Sequence, residues 1–280
     1  MIILILNFIL LNPCFSFVSG PSSVSEGEKY LNFQIQQERG KIEPNENRSS
    51  FQDARIDLGK IKYVQSLSES YLFSRSSLNI EYAEFSSGEE RVGTDFFYEK
   101  DEGRYIVLGF SGDLMHDLQK QFSVFLQITP FKKYNQNKFS NPRVDLFSFG
   151  FQSSLHVTDN LFQKNLLYIG SGDTKDQNSY FAIDTGFGYK LNNVFQRQFT
   201  VNGSLFFEGD TSERKDPKYD SVFSPAGTED RIRSFKYGLL FGLDIELADQ
   251  INLFISSLSK LGGYDARSTQ IFNLGIGKKF

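Results

Sequence analysis

An all-β chain, closed into a single antiparallel up-and-down transmembrane barrel of about twelve strands (ten as the alternative), is the fold this sequence predicts. Three observations predict it. Segments that alternate large apolar with small or polar side chains recur from residue 29 to the last residue. The connections between them alternate short and long. The clearest segments run to about twice the 5–6 residues of an ordinary strand.

Residues 234–247, SFKYGLLFGLDIEL, show the first and third. Phe235, Tyr237, Leu239, Phe241, Leu243, Ile245 and Leu247 fall on one face of an extended chain, and Ser234, Lys236, Gly238, Leu240, Gly242, Asp244 and Glu246 on the other. A period of two is that of a strand with one apolar face. A membrane-spanning strand needs roughly 9–11 residues, with its apolar side chains toward lipid and its polar ones toward the lumen.

In chain order the alternating segments lie near 29–38, 52–64, 70–86, 103–113, 119–131, 143–157, 161–171, 178–191, 197–209, 231–247, 250–261 and 268–280. Those near 29, 52, 161 and 250 alternate less strictly. In the second, the apolar register passes from Ile56 and Leu58 to Ile61 and Tyr63, which predicts a bulge at Gly59. At 178–191, Phe181, Ile183, Phe187 and Tyr189 oppose Ala182, Asp184, Gly186, Gly188 and Lys190. At 197–209, Phe199, Val201, Leu205 and Phe207 oppose Thr200, Asn202, Ser204 and Phe206.

The short connections are 66–69, 113–117, 158–160, 192–196 and 248–250; the long ones are 40–50, 87–102, 132–141, 172–177, 210–230 and 262–268. In a meander, this order sorts all short turns to one end and all long loops to the other. A soluble sandwich has no reason to sort them so, whereas a membrane barrel does. Backbone groups in lipid must pair internally, so the sheet must close.

Composition agrees. The 39% of hydrophobic residues is too few for a helical membrane protein, and the 30 Phe and 13 Tyr favour pleated surfaces. A net charge of −4 without a basic stripe argues against nucleic acid as a partner. Residues 1–20 read as a secretory signal: the apolar run before Asn12-Pro13 falls short of the roughly 20 residues of a spanning helix. No Lys or Arg precedes it, which departs from the usual pattern. Residues 21–28 form a short polar segment and 29–280 the barrel. Cys14, the sole cysteine, lies within the signal. Asn12 and Pro13 stand where a lipid-attachment box has small residues, so cleavage beyond Cys14 is expected, leaving a mature chain without a thiol.

The chain ends TQIFNLGIGKKF, with Phe272, Leu274, Ile276 and Phe280 in one register and Asn273, Gly275, Gly277 and Lys279 in the other. This resembles the last strand of bacterial outer-membrane β-barrel proteins, with an aromatic terminus (Phe280) and a glycine five positions before it (Gly275). Lys278 departs from the apolar residue expected there. The resemblance implies residence in a Gram-negative-type outer membrane, contact with its lipid, and recognition by the barrel-assembly machinery through Gly275, Ile276 and Phe280. It names a superfamily, with no activity attached.

Chemistry is sparse. The two histidines, His116 and His156, fall at the short-turn end, away from the outer rim where barrel hydrolases of this superfamily would carry a catalytic histidine. Residues 275–279, GIGKK, lack the spacing of a phosphate loop. The acidic stretches 208–210 and 228–230 lack a calcium-loop spacing. No catalytic residue, metal ligand or cofactor site is therefore assigned, and a hydrolase is the least favoured reading.

Alternation places Arg75, Asn79, Glu81, Gln127, Asp184, Lys190, Thr200, Asn202, Lys236, Asp244 and Glu246 on the inner wall. Both charge signs are interspersed there. Such a wall lines a narrow channel for ions or small polar solutes, or, paired across a closed lumen, holds the barrel rigid. The channel is the expectation. The alternative is a structural or surface-binding barrel that uses the outer loops 87–102, with Phe96, Phe97 and Tyr98, and 210–230.

Overall fold

The computed structural model describes residues 27–42, 52–67, 71–91, 97–117, 119–133, 144–171, 179–194, 197–211, 214–215, 231–232, 235–248, 250–264 and 270–280. The proposed signal lies outside them. The strands are β1 (Lys29–Ile42), β2 (Gln52–Leu67), β3 (Arg75–Arg91), β4 (Phe97–His116), β5 (Lys120–Lys133), β6 (Phe147–His156), β7 (Leu161–Gly170), β8 (Tyr180–Val194) and β9 (Arg197–Asp210), then β10 (Arg214–Lys215), β11 (Arg231–Ile232), β12 (Phe235–Ala248), β13 (Ile251–Tyr264) and β14 (Gln270–Lys279). β10 and β11 form a small ribbon. The other twelve make one closed antiparallel ring in chain order.

β14 seals the ring against β1, from Tyr30 opposite Lys279 to Arg39 opposite Gln270. Lys29 and Phe280 exchange backbone hydrogen bonds of 3.2 and 2.9 Å at the foot of this seam. Both strand ends at the seam thus share the end of the barrel that carries the short turns, as an even strand number requires.

The two faces differ in kind. Large apolar side chains point outward: Ile35 is 65% exposed, Leu205 59% and Phe241 58%. Polar ones point inward, where Asn32, Asn79, Glu81, Asp113, Gln121, Asp184, Thr200, Asn202, Ser256 and Asn273 are all buried. Inward glycines make room for rings from neighbouring strands. A Cβ at Gly275 would overlap Phe254, and one at Gly277 would overlap Tyr30.

Three expectations need correction. β2 keeps one unbroken register with both neighbours, so Gly59 is no bulge. Instead Ile56 and Leu58 face inward, where they pack with Ala83, Phe85, Tyr105 and Val144. The apolar residues changed face because this part of the interior is itself apolar. Second, the stretch 87–102 is mostly hairpin: Ser87 to Arg91 pair with Asp101 to Phe97. Its charged residues hid the strand, since a hairpin beyond the apolar band has no need to alternate. Third, the strand near 143–157 begins only at Phe147, and Val144–Leu146 precede it as irregular chain.

Candidate functional site: the barrel interior

Side chains on the inner wall are joined by hydrogen bonds that run from strand to strand. Gln34 Nε2 on β1 donates to Asn273 Oδ1 on β14 (3.0 Å), and Asn273 Nδ2 donates to Ser256 Oγ on β13 (3.1 Å). Lys164 on β7 stands opposite Gly186 on β8, which has no side chain to stop it. Its Nζ therefore reaches Asn202 Oδ1 on β9 (3.4 Å), and Asn202 Nδ2 donates to Asp244 Oδ2 on β12 (2.9 Å). Near the short-turn end, Asp113 is fully buried and accepts from Ser123 Oγ (2.7 Å) and Gln121 Nε2 (3.1 Å). A buried carboxylate is tolerated only with such partners.

Each residue expected on the inner wall has a definite place. Asn79 and Glu81 are buried on β3, with Glu81 3.7 Å from Lys60 Nζ. Arg75 begins β3 opposite Asp113. Gln127 accepts from Ser148 Oγ (3.2 Å). Asp184 and Thr200 are buried. Lys190 lies 5.8 Å from the centre of the inward Phe162 ring, which Lys164 also approaches at 5.3 Å. Lys236 pairs with Glu208 at 3.3 Å. Asn202 and Asp244 belong to the chain of hydrogen bonds above. Glu246 is exposed, beside a register shift at the end of β12. At the other end of the chain, Ile276 is outward and 44% exposed, Phe280 is 56% exposed, and Gly275 is inward.

The inward residues that sequence reasoning passed over are Asn32, Lys62, Asp113, Gln121, Ser123, Lys164 and Ser256. Asn32, Lys62, Lys164 and Ser256 lie in segments that alternate less strictly, and Asp113 falls in what reads as a short turn. His116 ends β4 with Nδ1 3.7 Å from Asp113 Oδ2. Ser123 hydroxyl bonds that same aspartate, so the three do not form the serine–histidine–carboxylate relay that acyl transfer needs. His156 ends β6 with its ring 5.8 Å from that of Phe162.

The interior is not polar throughout. Phe125, Leu166, Tyr168, Tyr180, Ala182 and Phe206 form a second apolar cluster on β5 and β7–β9. It stands apart from the cluster of Ile56, Leu58, Ala83, Phe85 and Tyr105 on β2–β4. A third, small apolar pair, Tyr30 and Val64, lies nearer the short turns.

A broad apolar outer wall, an inner wall carrying charge, and a ring without a free edge are together stable only in lipid. This is a transmembrane β-barrel, of the fold shared by bacterial outer-membrane barrel proteins. Among solved structures it resembles an outer-membrane channel from Pseudomonas putida F1, with TM-score 0.68 and 10% identity over 92% of this chain and 97% of that one. It also resembles the β domain of the Bordetella autotransporter BrkA, with TM-score 0.54 and 15% identity over 90% and 98% of the two chains. At these identities the likeness is one of fold. No family model matches the chain, and no curated protein matches it in sequence.

Proposed function

We propose that this protein is a narrow bacterial outer-membrane channel for ions and small polar solutes. The observation that carries the reading is the wall of charged and amide side chains inside a barrel whose exterior is apolar. An interior built only for rigidity could be filled with apolar side chains, as it is within the two larger apolar clusters. Burying Lys62, Glu81, Asp113, Asp184 and Asp244 as well is costly in a dry lumen and cheap in a hydrated one. Solute passage then needs no energy source beyond the gradient across the membrane. The two barrels of similar fold named above support the outer-membrane setting.

Conductance in a planar lipid bilayer tests this. Purified protein whose folding is verified by the band shift on boiling gives discrete current steps. Absence of steps from such protein overturns the reading. A second reading, surface binding, draws on one observation. At 17 and 20 residues, β3 and β4 exceed the roughly 9–11 that span a bilayer, so their paired ends project beyond it. Under that reading, trimming this hairpin abolishes adhesion to a target surface and leaves conductance intact.

A further inference from the structure

Gly59 has no reason in the barrel itself to be a glycine. β2 runs through it in unbroken register with both neighbours, its φ is not positive, and a Cβ built on it meets no atom within 4 Å. It is exposed on the outer face of the wall. Its cross-strand neighbours there are Ile35 of β1 and Glu84 of β3, and the same row continues to Arg104 of β4 and Lys133 of β5. The missing side chain leaves an open hollow of about 800 Å³, with Gly59, Glu84, Ser86, Glu102, Arg104 and Lys133 around it.

This hollow lies across the edge of the apolar band on the long-loop side. The outward row on the membrane side of it is Phe33, Ile61, Tyr82, Ile106 and Phe131, and the row beyond it is Gln37, Asp57, Ser86 and Glu102. Ile35, in the row of Gly59 itself, is 65% exposed. A groove with an apolar floor at one end and charge at the other fits an amphipathic molecule whose head group sits at the membrane surface.

The charges define that head group. The Tyr82 hydroxyl donates to Glu84 and accepts from Arg104. Among the described residues neither Arg104 nor Lys133 has an ion-pair partner, and the two stand opposite each other, both exposed. Two cations side by side at a lipid boundary suit a phosphate, which a guanidinium can bind through two parallel hydrogen bonds. Glu84 and Glu102 balance the rim, so a bare anion gains little there. A phosphate that brings a divalent counter-ion presents both signs.

We propose that this hollow binds the phosphorylated glycolipid of an outer leaflet. Its phosphate lies between Arg104 and Lys133, its divalent counter-ion faces Glu102, and an acyl chain passes over Gly59 onto Ile35 and Ile61. The inference rests on the outer-membrane setting with the long loops outward, and is independent of conduction. Gly59 is the residue that keeps the path from head group to acyl chain open.

Folded protein in a mild detergent, titrated with purified bisphosphoryl lipid A in millimolar Mg²⁺ and followed by thermophoresis, tests this. The parent binds. Removing the lipid's phosphates, chelating the Mg²⁺, or combining Arg104→Gln with Lys133→Gln weakens binding about tenfold or more. Gly59→Leu weakens it to a similar degree and keeps the gel shift on boiling, because the added side chain enters open space. Equal binding of the lipid with and without its phosphates overturns the proposal, as does equal binding by the parent and the Arg104, Lys133 double variant. Displacement of lipid A by inorganic phosphate alone also overturns it, since the cations then serve a free anion. A silent bilayer with selective lipid binding overturns the channel and leaves this site, and the converse result leaves the channel and removes the site.

Discussion

A departure from apolar composition on the outer wall shows how a membrane barrel handles polarity residue by residue. Gln163 and Asn165 on β7 and Thr185 on β8 share the parity of the exposed Leu167, Ile183 and Phe187, so they face outward among apolar neighbours. They hydrogen-bond to one another. Gln163 Nε2 and Thr185 Oγ1 both donate to Asn165 Oδ1, at 3.2 and 2.7 Å. Asn165 is the shared acceptor, and its removal strands two donors. Leaving a buried donor unmade costs about 1–3 kcal/mol, whereas replacing all partners by apolar groups of similar shape is close to neutral. Asn165→Ala should therefore lower the urea midpoint of the folded barrel in lipid. The triple replacement Gln163→Leu, Asn165→Leu, Thr185→Val should restore it to the parent value or above. Single and triple variants with the same loss would show that the hydrogen bonds do not set the stability of this patch.

At the scale of elements, the long hairpin of β3 and β4 is the clearest case of structure built beyond the membrane. Its outward residues change from Leu78, Ile80 and Tyr82 to Glu84, and those of β4 from Leu108 and Ile106 to Arg104. The apolar band ends there, while the strand pairing continues to Arg91 and Phe97. Pairing in that part is held by backbone hydrogen bonds and cross-strand contacts in water, which alone stabilise a two-stranded hairpin marginally. Replacing residues 88–100 by a short turn should leave the boiling-dependent gel shift unchanged and remove a protease-sensitive site from intact cells. Loss of the folded band would make the hairpin part of the barrel's own stability. The same boundary explains what was legible in the sequence. Inside the apolar band the alternation is enforced by lipid on one side, so β8, β9 and β12 could be read to within a few residues. Above it, nothing enforces a period of two, and the hairpin looked like a charged loop. The irregular stretch before β6 was hidden for a different reason. Val144, Leu146 and Ser148 keep the spacing of a strand, and only the exposure of Leu146 between two buried residues shows that the run is broken. On the inner wall, parity identified Asn79, Glu81, Asp184 and Asn202 as inward residues. It could not show that the interior between β2 and β4 is apolar, because an apolar residue on the inner face of β2 reads the same as a register shift.

For the whole molecule, the seam between β1 and β14 is the step that completes the ring, and the last strand has two separable tasks there. One is physical: its backbone pairs with both β1 and β13, and its glycines receive the rings of Tyr30 and Phe254. The other is the proposed recognition by an assembly machinery through Gly275, Ile276 and Phe280. Phe280 is suited to distinguish them. Its backbone closes the seam with Lys29, while its side chain points outward with Lys278 Nζ 5.0 Å from the ring centre. The ring is thus peripheral to the packing of the barrel, and Phe280→Ala keeps every backbone hydrogen bond of the seam. If the ring serves recognition, the variant should refold from urea into detergent with the same yield and gel shift as the parent. In cells it should accumulate in the unfolded form, with the boiling-sensitive band reduced severalfold. Equal loss in both settings would assign the ring to barrel stability. Equal assembly in both would remove Phe280 from the assembly signal, leaving β14 with the sealing task alone.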